Sequence, residues 1–97
     1  MKYINKRLTL EKVNFQKIAK KFGTPFYCYS YSKLKENVNK FKENFKSFSP
    51  LICFAVKSNP NVNLIREIKK FGLGADVVSL GELMIALKAG VKPNKIV

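Results

Sequence analysis

Short apolar runs alternate with amphipathic stretches along this chain. The apolar runs are PFYCYSY, LICFAV, GADVVS and KIV, and they begin roughly 25 residues apart, which is the spacing of βα units. LICFAV is continuously apolar, as in a strand that is covered on both faces of a parallel sheet. Right-handed crossovers would bring the carboxyl ends of these strands to one edge. The alternation predicts an α/β fold of order β-α-β-α-β-α-β, either an open parallel sheet or part of a closed barrel.

Residues that can cap helices precede each amphipathic stretch. Ser79 and Glu82 form S-x-x-E directly before an apolar run, which is the pattern of a reciprocal capping box. Glycine follows three of the stretches, at positions where a left-handed residue can end a helix. The predicted caps are Asn14, Ser32, Asn61 and Ser79. The second helix is predicted to bury a stripe formed by Leu34, Val38, Phe41, Phe45 and Phe48.

Length and composition limit the class of protein. A chain of 97 residues can form one small domain with its own core. No apolar run is long enough to span a membrane, and the N-terminus lacks the apolar run of a signal peptide, so we expect a cytoplasmic protein. Cys28 and Cys53 each lie in an apolar run and the chain has no histidine. Both are therefore predicted to be buried free thiols, and no metal site is predicted.

The chain is strongly basic. Nineteen lysines and arginines stand against six acidic residues, for a net charge of +13. Such a balance is common in proteins that bind nucleic acid or anionic surfaces. Here the cations are spread over every predicted helix, whereas nucleic-acid-binding modules concentrate them on one face. A nucleic-acid partner is therefore disfavoured, and a small basic binding module is kept as the alternative to an enzyme.

Lys57 lies where the apolar run LICFAV ends, just before the turn Asn59-Pro60-Asn61. One interpretation is structural: the aliphatic stem covers apolar surface while the ammonium group reaches water. The other is chemical. Partial burial would favour the neutral amine, which can condense with a carbonyl group, and pyridoxal phosphate is the common partner of such lysines. The residues around Lys57 leave both interpretations open.

Three other polar residues are predicted at the same edge as Lys57, each at the end of an apolar run. They are Ser30, Asp76 and Ser79. Asp76 is a candidate functional carboxylate, and the competing interpretation is that it hydrogen-bonds a loop. Ser79 is assigned to the capping box together with Glu82, because that pattern accounts for both residues.

Three segments of the chain closely resemble one enzyme family. They are GTPFYCYS at 23–30, CFAVKSNPN at 53–61 and GADVVSLGELMIALKAGVKPNKIV at 74–97. In order and spacing they are similar to the N-terminal part of diaminopimelate decarboxylases, which are fold-type III pyridoxal-phosphate enzymes. The resemblance implies an incomplete (β/α)8 TIM barrel of about three βα units plus the start of a fourth strand. It assigns 14–97 to a partial pyridoxal-phosphate-binding barrel domain and 1–13 to a segment that packs with a C-terminal β-domain in the family.

The resemblance also implies a function. In the family the lysine at the position of Lys57 binds pyridoxal 5'-phosphate covalently, and the aspartate at the position of Asp76 lies close to that cofactor. The implied reaction of the full-length enzyme is decarboxylation of meso-2,6-diaminopimelate to L-lysine, in a homodimer that takes an amino-acid substrate. The remaining cofactor-binding residues would lie beyond residue 97, so the chain alone is expected to be an inactive fragment.

Three positions depart from the family pattern. They are Ser58, where alanine is usual, Leu80, where a second glycine is usual, and Ser30, where an aspartate often ends the first strand. None of them is the lysine that binds the cofactor. A related pyridoxal-phosphate decarboxylase of the arginine, ornithine or carboxynorspermidine type is the nearest alternative within the same chemistry.

Overall fold

The computed structural model describes all 97 residues, which form two compact units, Met1–Asn39 and Lys40–Val97. Helices and strands occur together, so the predicted mixed α/β class is confirmed. No helix has both the length and the apolar character needed to cross a membrane. The two units are described in turn.

The first unit opens with a three-stranded antiparallel sheet that the sequence did not predict. The strands are β1 at Lys2–Ile4, β2 at Arg7–Leu10 and β3 at Val13–Asn14, in the order β1-β2-β3. Both connections are two-residue turns with positive φ throughout, at 48° and 60° in the first and 51° and 70° in the second. Such turns match the twist of antiparallel strands but usually contain glycine. These turns are Asn-Lys and Glu-Lys, so the usual hairpin signal is absent from the sequence.

The first helix, α1 at Phe15–Phe22, follows the sheet directly. Its predicted cap is confirmed, because the Asn14 side chain accepts a hydrogen bond of 2.7 Å from the Gln16 backbone N–H. Gly23 ends the helix with φ of 80°, and its N–H donates to the Ala19 carbonyl. Local capping signals were therefore sufficient to predict both ends of α1.

The predicted strand PFYCYSY is wrong, since residues 25–30 form no strand and pair with none. A strand is defined by hydrogen bonds to a neighbour, and neither sheet of the structure includes this segment. The predicted burial of Cys28 is also wrong, because this thiol is exposed. Tyr27 and Tyr29 stack on each other in the same exposed segment, with ring centroids 6.5 Å apart.

The second helix, α2 at Tyr31–Phe45, begins one residue before its predicted cap, Ser32. Ser30 caps the helix instead, because its hydroxyl accepts a hydrogen bond of 3.0 Å from the Lys33 N–H. Glu11, from the turn between β2 and β3, accepts a hydrogen bond of 2.7 Å from the Ser32 N–H and another from the Ser30 hydroxyl. A carboxylate remote in sequence thus satisfies an N–H group at the start of α2, which no local pattern could predict.

The predicted burial of the α2 stripe is largely wrong. Val38 is buried and Leu34 is half-buried, while Phe41, Phe45 and Phe48 are exposed. Phe41 and Phe45 stack on each other with centroids 4.9 Å apart. The spacing of the stripe predicted a helix correctly, but burial also needs an apolar surface opposite the stripe, and the described residues supply one for only part of it.

The second unit contains the parallel pairing that the sequence predicted. Strands β4 at Cys53–Ala55 and β5 at Gly74–Asp76 run parallel, and Ile96 forms a further parallel bridge to Ala75. Both strands are shorter than their apolar runs, because residues 56–58 turn into a 3-10 helix and residues 77–79 lead into the next helix. These strands form no closed barrel.

Helices α3 at Val62–Lys70 and α4 at Leu80–Ala89 cover this sheet. Their predicted caps are confirmed: Asn61 accepts a hydrogen bond from the Asn63 N–H, and Ser79 accepts one from the Glu82 N–H. The core residues are Val56, Ile65, Ala75, Ala86, Ala89 and Val91. Complete burial of an aliphatic side chain such as Ile65 stabilises the fold by about 1.5–3 kcal/mol, so this core anchors the strand ends.

Candidate functional site

Lys57 lies at the carboxyl end of β4, on the 3-10 turn Val56–Ser58. The preceding Val56 is completely buried, while the Lys57 side chain is exposed and forms no hydrogen bond or ion pair. The partial burial considered for a nucleophilic Lys57 is therefore wrong. A buried residue directly before it fixes the backbone, and the amine itself is free to meet a ligand.

Hydrogen bonds hold the turn that carries Lys57. The Ser58 hydroxyl donates to the Ala55 carbonyl over 2.7 Å, and the Asn59 N–H donates to the Val56 carbonyl over 3.1 Å. Both bonds connect the turn to the end of β4 or to its first residue. Sequence reasoning noted Ser58 only as a departure from the family pattern, and its hydrogen bond could not be read from the sequence.

The Asn-Pro-Asn segment leads from this turn into α3. The Asn59 side chain accepts a hydrogen bond of 3.1 Å from the Asn61 N–H, and the Asn61 side chain accepts one of 2.9 Å from the Asn63 N–H. Pro60, between them, has no N–H that needs a partner. The result is a polar connection from the end of β4 to the first turn of α3, as the predicted cap implied.

Asp76 ends β5 and lies beside the end of β4. In the parallel register Asp76 is the partner of Ala55, two residues before Lys57. Neighbouring strands lie about 4.8 Å apart, so Lys57 and Asp76 leave the sheet at one edge. The Asp76 carboxylate is half-buried and accepts no hydrogen bond, so the loop-bonding interpretation is wrong. This edge therefore combines an uncommitted amine and an uncommitted carboxylate.

Ser79 and Glu82 serve the start of α4. The Glu82 N–H donates to the Ser79 hydroxyl over 3.2 Å, and the Glu82 carboxylate accepts a hydrogen bond of 3.0 Å from the Val78 N–H. In the predicted reciprocal box the carboxylate would bond the Ser79 N–H, so the return bond is shifted by one residue. Ser30 belongs to the first unit, where its hydroxyl bonds Glu11 and caps α2.

Cys53 begins β4, and its thiol contacts the start of β5. A Cβ atom placed on Gly74 would lie 2.8 Å from the Cys53 sulfur and closer still to the Lys95 carbonyl oxygen. Only glycine fits this close approach. Burial raises the pKa of the Cys53 thiol and the negative charge of Asp76 raises it further, while Lys95 has a smaller opposing effect. The thiol is half-buried, short of the predicted full burial, and its neutral form is favoured.

Comparison with known proteins shows the family of this chain. Residues 31–97 match the family described as the pyridoxal-binding domain of pyridoxal-dependent decarboxylases. The chain belongs to this family. The matched segment includes both Lys57 and Asp76.

Individual relatives carry a more specific name. Diaminopimelate decarboxylase of Aquifex aeolicus is 41% identical over 97 residues, which is 100% of this chain and 23% of that protein. Diaminopimelate decarboxylase of Helicobacter pylori is 44% identical over 84 residues, covering 87% of this chain and 21% of that protein. This chain thus spans less than a quarter of the length of these relatives.

Solved structures agree with the sequence relatives. A crystal structure of an Aquifex aeolicus protein superposes with a TM-score of 0.91 at 41% identity, over 98% of this chain and 23% of that one. Diaminopimelate decarboxylase of M. jannaschii gives a TM-score of 0.89 at 36% identity, over 98% of this chain and 23% of that one. The same enzyme in complex with L-lysine gives 0.87 at 37% identity, over 95% of this chain and 23% of that one.

The described residues fit one part of a pyridoxal phosphate group. Its aldehyde needs a primary amine without a competing partner, and Lys57 meets that requirement. Its polar ring substituents need hydrogen-bonding groups nearby, and the free carboxylate of Asp76 leaves the sheet at the same edge. Lys57 and Asp76 are therefore the two residues of this chain that could hold the group.

Proposed function

We propose that this chain is the N-terminal part of a pyridoxal-phosphate-dependent decarboxylase that converts meso-2,6-diaminopimelate to L-lysine and carbon dioxide in the full-length protein. The observation that carries the proposal is the uncommitted Lys57 amine, at the same edge of the sheet as Asp76, whose carboxylate accepts no hydrogen bond. The family match over 31–97 supports the cofactor. The names of the relatives, and the L-lysine bound in some of them, support the amino-acid substrate.

Lys57 is the residue that would hold the cofactor covalently through Nζ. When bound, pyridoxal phosphate supplies an electron sink for the electron pair left behind as carbon dioxide departs. The hydrogen bond from Ser58 to the Ala55 carbonyl keeps the lysine-bearing turn in place on the end of β4. Val56, which is completely buried, excludes water from beneath the turn. Lys57 therefore combines an exposed, unbonded amine with a backbone held by hydrogen bonds.

Asp76 would orient the bound group. Its half-buried carboxylate has lost part of its hydration and has no hydrogen-bond donor from the protein, so a donor on a ligand would satisfy it. Its backbone position is set by the pairing with Ala55 and by the completely buried Ala75 before it. We assign Asp76 to ligand contact on these grounds.

The proposed domain organisation follows from the same family. Residues 14–97 would be the first βα units of a (β/α)8 barrel, and residues 1–13 would pack with a C-terminal β-domain. The full-length enzyme is proposed to be a cytoplasmic homodimer. A decarboxylase of the arginine, ornithine or carboxynorspermidine type is the alternative within this chemistry.

The first experiment maps the lysine that binds the cofactor. The full-length protein is incubated with pyridoxal phosphate, reduced with borohydride and digested, and the peptides are identified by mass. The pyridoxyl mass increment is expected on Lys57 and is expected to disappear in Lys57→Ala. The matched control is Lys88→Ala, which removes an exposed lysine of α4 and should keep the label. A label on another lysine in the unaltered protein would overturn the assignment.

The second experiment identifies the substrate. Release of carbon dioxide is measured with meso-diaminopimelate, ornithine, arginine and carboxynorspermidine at equal concentrations. Turnover of meso-diaminopimelate is expected to exceed the others. Preference for another substrate would show that the protein is one of the related decarboxylases instead. Salt-sensitive DNA binding with no turnover of any amino acid would favour the alternative hypothesis of a small basic binding module, which the net charge of +13 suggested.

A further inference from the structure

A separate group of lysines lies near the amino ends of the parallel strands, at the end of the sheet opposite Lys57. Lys69 is in the last turn of α3, while Lys92 and Lys95 lie on either side of Pro93-Asn94, just before the bridge residue Ile96. The three lysines line one cavity of about 140 Å³ together with Leu73 and Val91. The proposed cofactor site uses none of these residues.

The apolar side of this cavity is held firmly. Leu73 and Val91 are buried, with exposed fractions of 8% and 3%. The Val91 N–H donates to the Ala86 carbonyl over 3.0 Å, and the Lys95 ammonium donates to the Gly72 carbonyl over 2.9 Å. The volume is far above the roughly 10–15 Å³ that one water molecule requires, so the cavity has room for a tetrahedral oxyanion.

No described residue of this chain compensates the charge of this cavity. No carboxylate lines it, and neither Lys69 nor Lys92 forms a hydrogen bond or an ion pair. The adjacent Lys70 differs, since it pairs with Glu67 at 2.7 Å. Lys69 packs over Gly90, where an added Cβ atom would lie 2.9 Å from the ammonium nitrogen. Lysines that line one cavity without a carboxylate carry charges that repel one another, and a multivalent anion would relieve that repulsion.

Stabilising the carboxyl ends of nearby helices is a second role that these lysines could have. The carboxyl ends of α3 and α4 carry partial negative charge, which cations stabilise. For α3 that role is already filled, because Lys42 donates to the Phe71 carbonyl over 2.8 Å and Lys95 to the Gly72 carbonyl. Lys69 and Lys92 make no such bond. Their charges remain available to a ligand.

We propose that the cavity lined by Lys69, Lys92 and Lys95 binds a small multivalent oxyanion, with phosphate as the chemical group that suits it. Lysine is a regular partner of phosphate, and the Lys69 and Lys92 ammonium groups have no bonded partner in this chain, so both are available to the oxygens of one anion. The site lies at the opposite end of the strands from Lys57, so it is distinct from the phosphate of a cofactor held there. The proposal does not depend on the proposed decarboxylase function.

The test is calorimetric titration of the full-length protein with pyrophosphate at fixed ionic strength. Saturable binding of one pyrophosphate per chain is expected. The double variant Lys69→Gln/Lys92→Gln should raise the Kd about tenfold or more, because two charge-assisted contacts are lost. The matched control is Lys17→Gln/Lys35→Gln, which removes two exposed lysines without bonded partners from the first unit. Its Kd should stay within about twofold of the unaltered protein, since distant exposed charges are screened.

Further measurements separate binding at this cavity from general attraction, from helix stabilisation and from binding at the Lys57 edge. Equal weakening in both double variants would mean general charge attraction and would overturn the proposal. Lower thermal stability of Lys69→Gln/Lys92→Gln with an unchanged Kd would mean that the lysines serve only the helix ends, which also overturns it. Lys57→Ala should keep pyrophosphate binding, and loss of binding in that variant would overturn the proposal by placing the anion at the other edge.

The source of the phosphate group is distinguished by the choice of probe. Pyrophosphate binding as tight as that of adenosine triphosphate supports a free oxyanion as the ligand. Tighter binding of adenosine triphosphate, lost equally in Lys69→Gln/Lys92→Gln, supports a phosphorylated metabolite at the same cavity. Absence of saturable binding for both probes overturns the proposal.

Discussion

The two compact units differ in how well they bury their apolar side chains. In Lys40–Val97, Val56, Ile65 and Ile68 are almost fully buried. In Met1–Asn39, Val38 is the one buried apolar residue, and α1 buries no side chain fully although its apolar positions share a face. Periodicity therefore predicts that a helix forms, whereas burial depends on the surface that the rest of the chain presents to it.

The largest expected effect comes from truncating a core residue of the second unit. Ile65→Ala should lower the free energy of unfolding by about 2–5 kcal/mol, because a completely buried side chain leaves a cavity. Ile18→Ala, the same change at a half-buried position of α1, should cost clearly less. Chemical denaturation of both variants measures the difference. Equal losses would show that the two units are packed equally well.

The next effect tests the close approach between β4, β5 and the end of the chain. Gly74→Ala should lower the free energy of unfolding by about 1–3 kcal/mol, because its Cβ would overlap the Lys95 carbonyl oxygen and crowd the Cys53 sulfur. Gly81→Ala is the matched control. There the nearest atom to an added Cβ is the Ser79 hydroxyl at 3.9 Å, so the change should be neutral or stabilising. Similar midpoints of denaturation for the two variants would contradict the crowding at Gly74.

A smaller effect separates the observed cap of α2 from the predicted one. Ser30→Ala should cost about 0.5–2 kcal/mol, because its hydroxyl bonds both the Lys33 N–H and the Glu11 carboxylate. Ser32→Ala should cost clearly less, because the variant keeps the backbone N–H bond to Glu11 and the Ser32 side chain is the weakest of the contacts that lower the pKa of that carboxyl. Thermal unfolding followed by circular dichroism compares the two. A larger loss of stability in Ser32→Ala than in Ser30→Ala would show that Ser32 is the cap, as the sequence predicted.

The smallest effect is a pH dependence carried by Glu11. The Ser30 hydroxyl, followed by the Ser32 N–H, holds the pKa of this carboxyl below its usual value of 4.5. A lowered pKa in the folded state means that the contribution to stability is complete above the usual pKa. It is lost as the pH falls through the folded value. Glu11→Gln should therefore flatten the acid limb of the stability curve, measured by denaturation at a series of acid pH values. An unchanged limb would show that Glu11 does not stabilise the start of α2.

Predictions from the sequence succeeded where the signal and its partner are close in the chain. The caps at Asn14, Asn61 and Ser79 bond N–H groups two or three residues away, so sequence alone located α1, α3 and α4. The cap of α2 was misplaced by two residues, although Ser30 accepts its hydrogen bond from Lys33, which is also only three residues away. Two serines precede this helix, and the bonds that Glu11 makes to Ser30 and Ser32 come from a residue about 20 positions earlier in the chain, which no local pattern shows.

The strands were harder to predict than the helices. The antiparallel sheet at residues 2–14 was missed because its turns, Asn5-Lys6 and Glu11-Lys12, adopt positive φ without glycine. The predicted strand PFYCYSY finds no partner. The parallel pair was predicted, since the continuous apolar run LICFAV indicated a buried strand, and its observed partner is β5.

Strand order alone placed Lys57 and Asp76 at one edge of the candidate site. The structure adds the register, with Asp76 beside Ala55, and the Ser58 hydrogen bond that holds the turn. It also corrects the burial of Lys57 and shows that the Asp76 carboxylate accepts no hydrogen bond from a loop. These details depend on packing and side-chain geometry, which residue patterns do not encode. The role of Lys57 is a prediction that borohydride reduction tests.

Pro60 affects the chemical stability of the segment that follows the lysine-bearing turn. Asparagine side chains age by deamidation, in which the backbone nitrogen of the next residue attacks the side-chain carbonyl and releases ammonia. Proline has no N–H on its ring nitrogen, so Asn59 is poorly placed for this reaction. The amide whose oxygen accepts the Asn61 N–H is thereby kept intact, and with it the path from the lysine turn into α3. The residue that shapes this bend also protects it chemically over the lifetime of the protein.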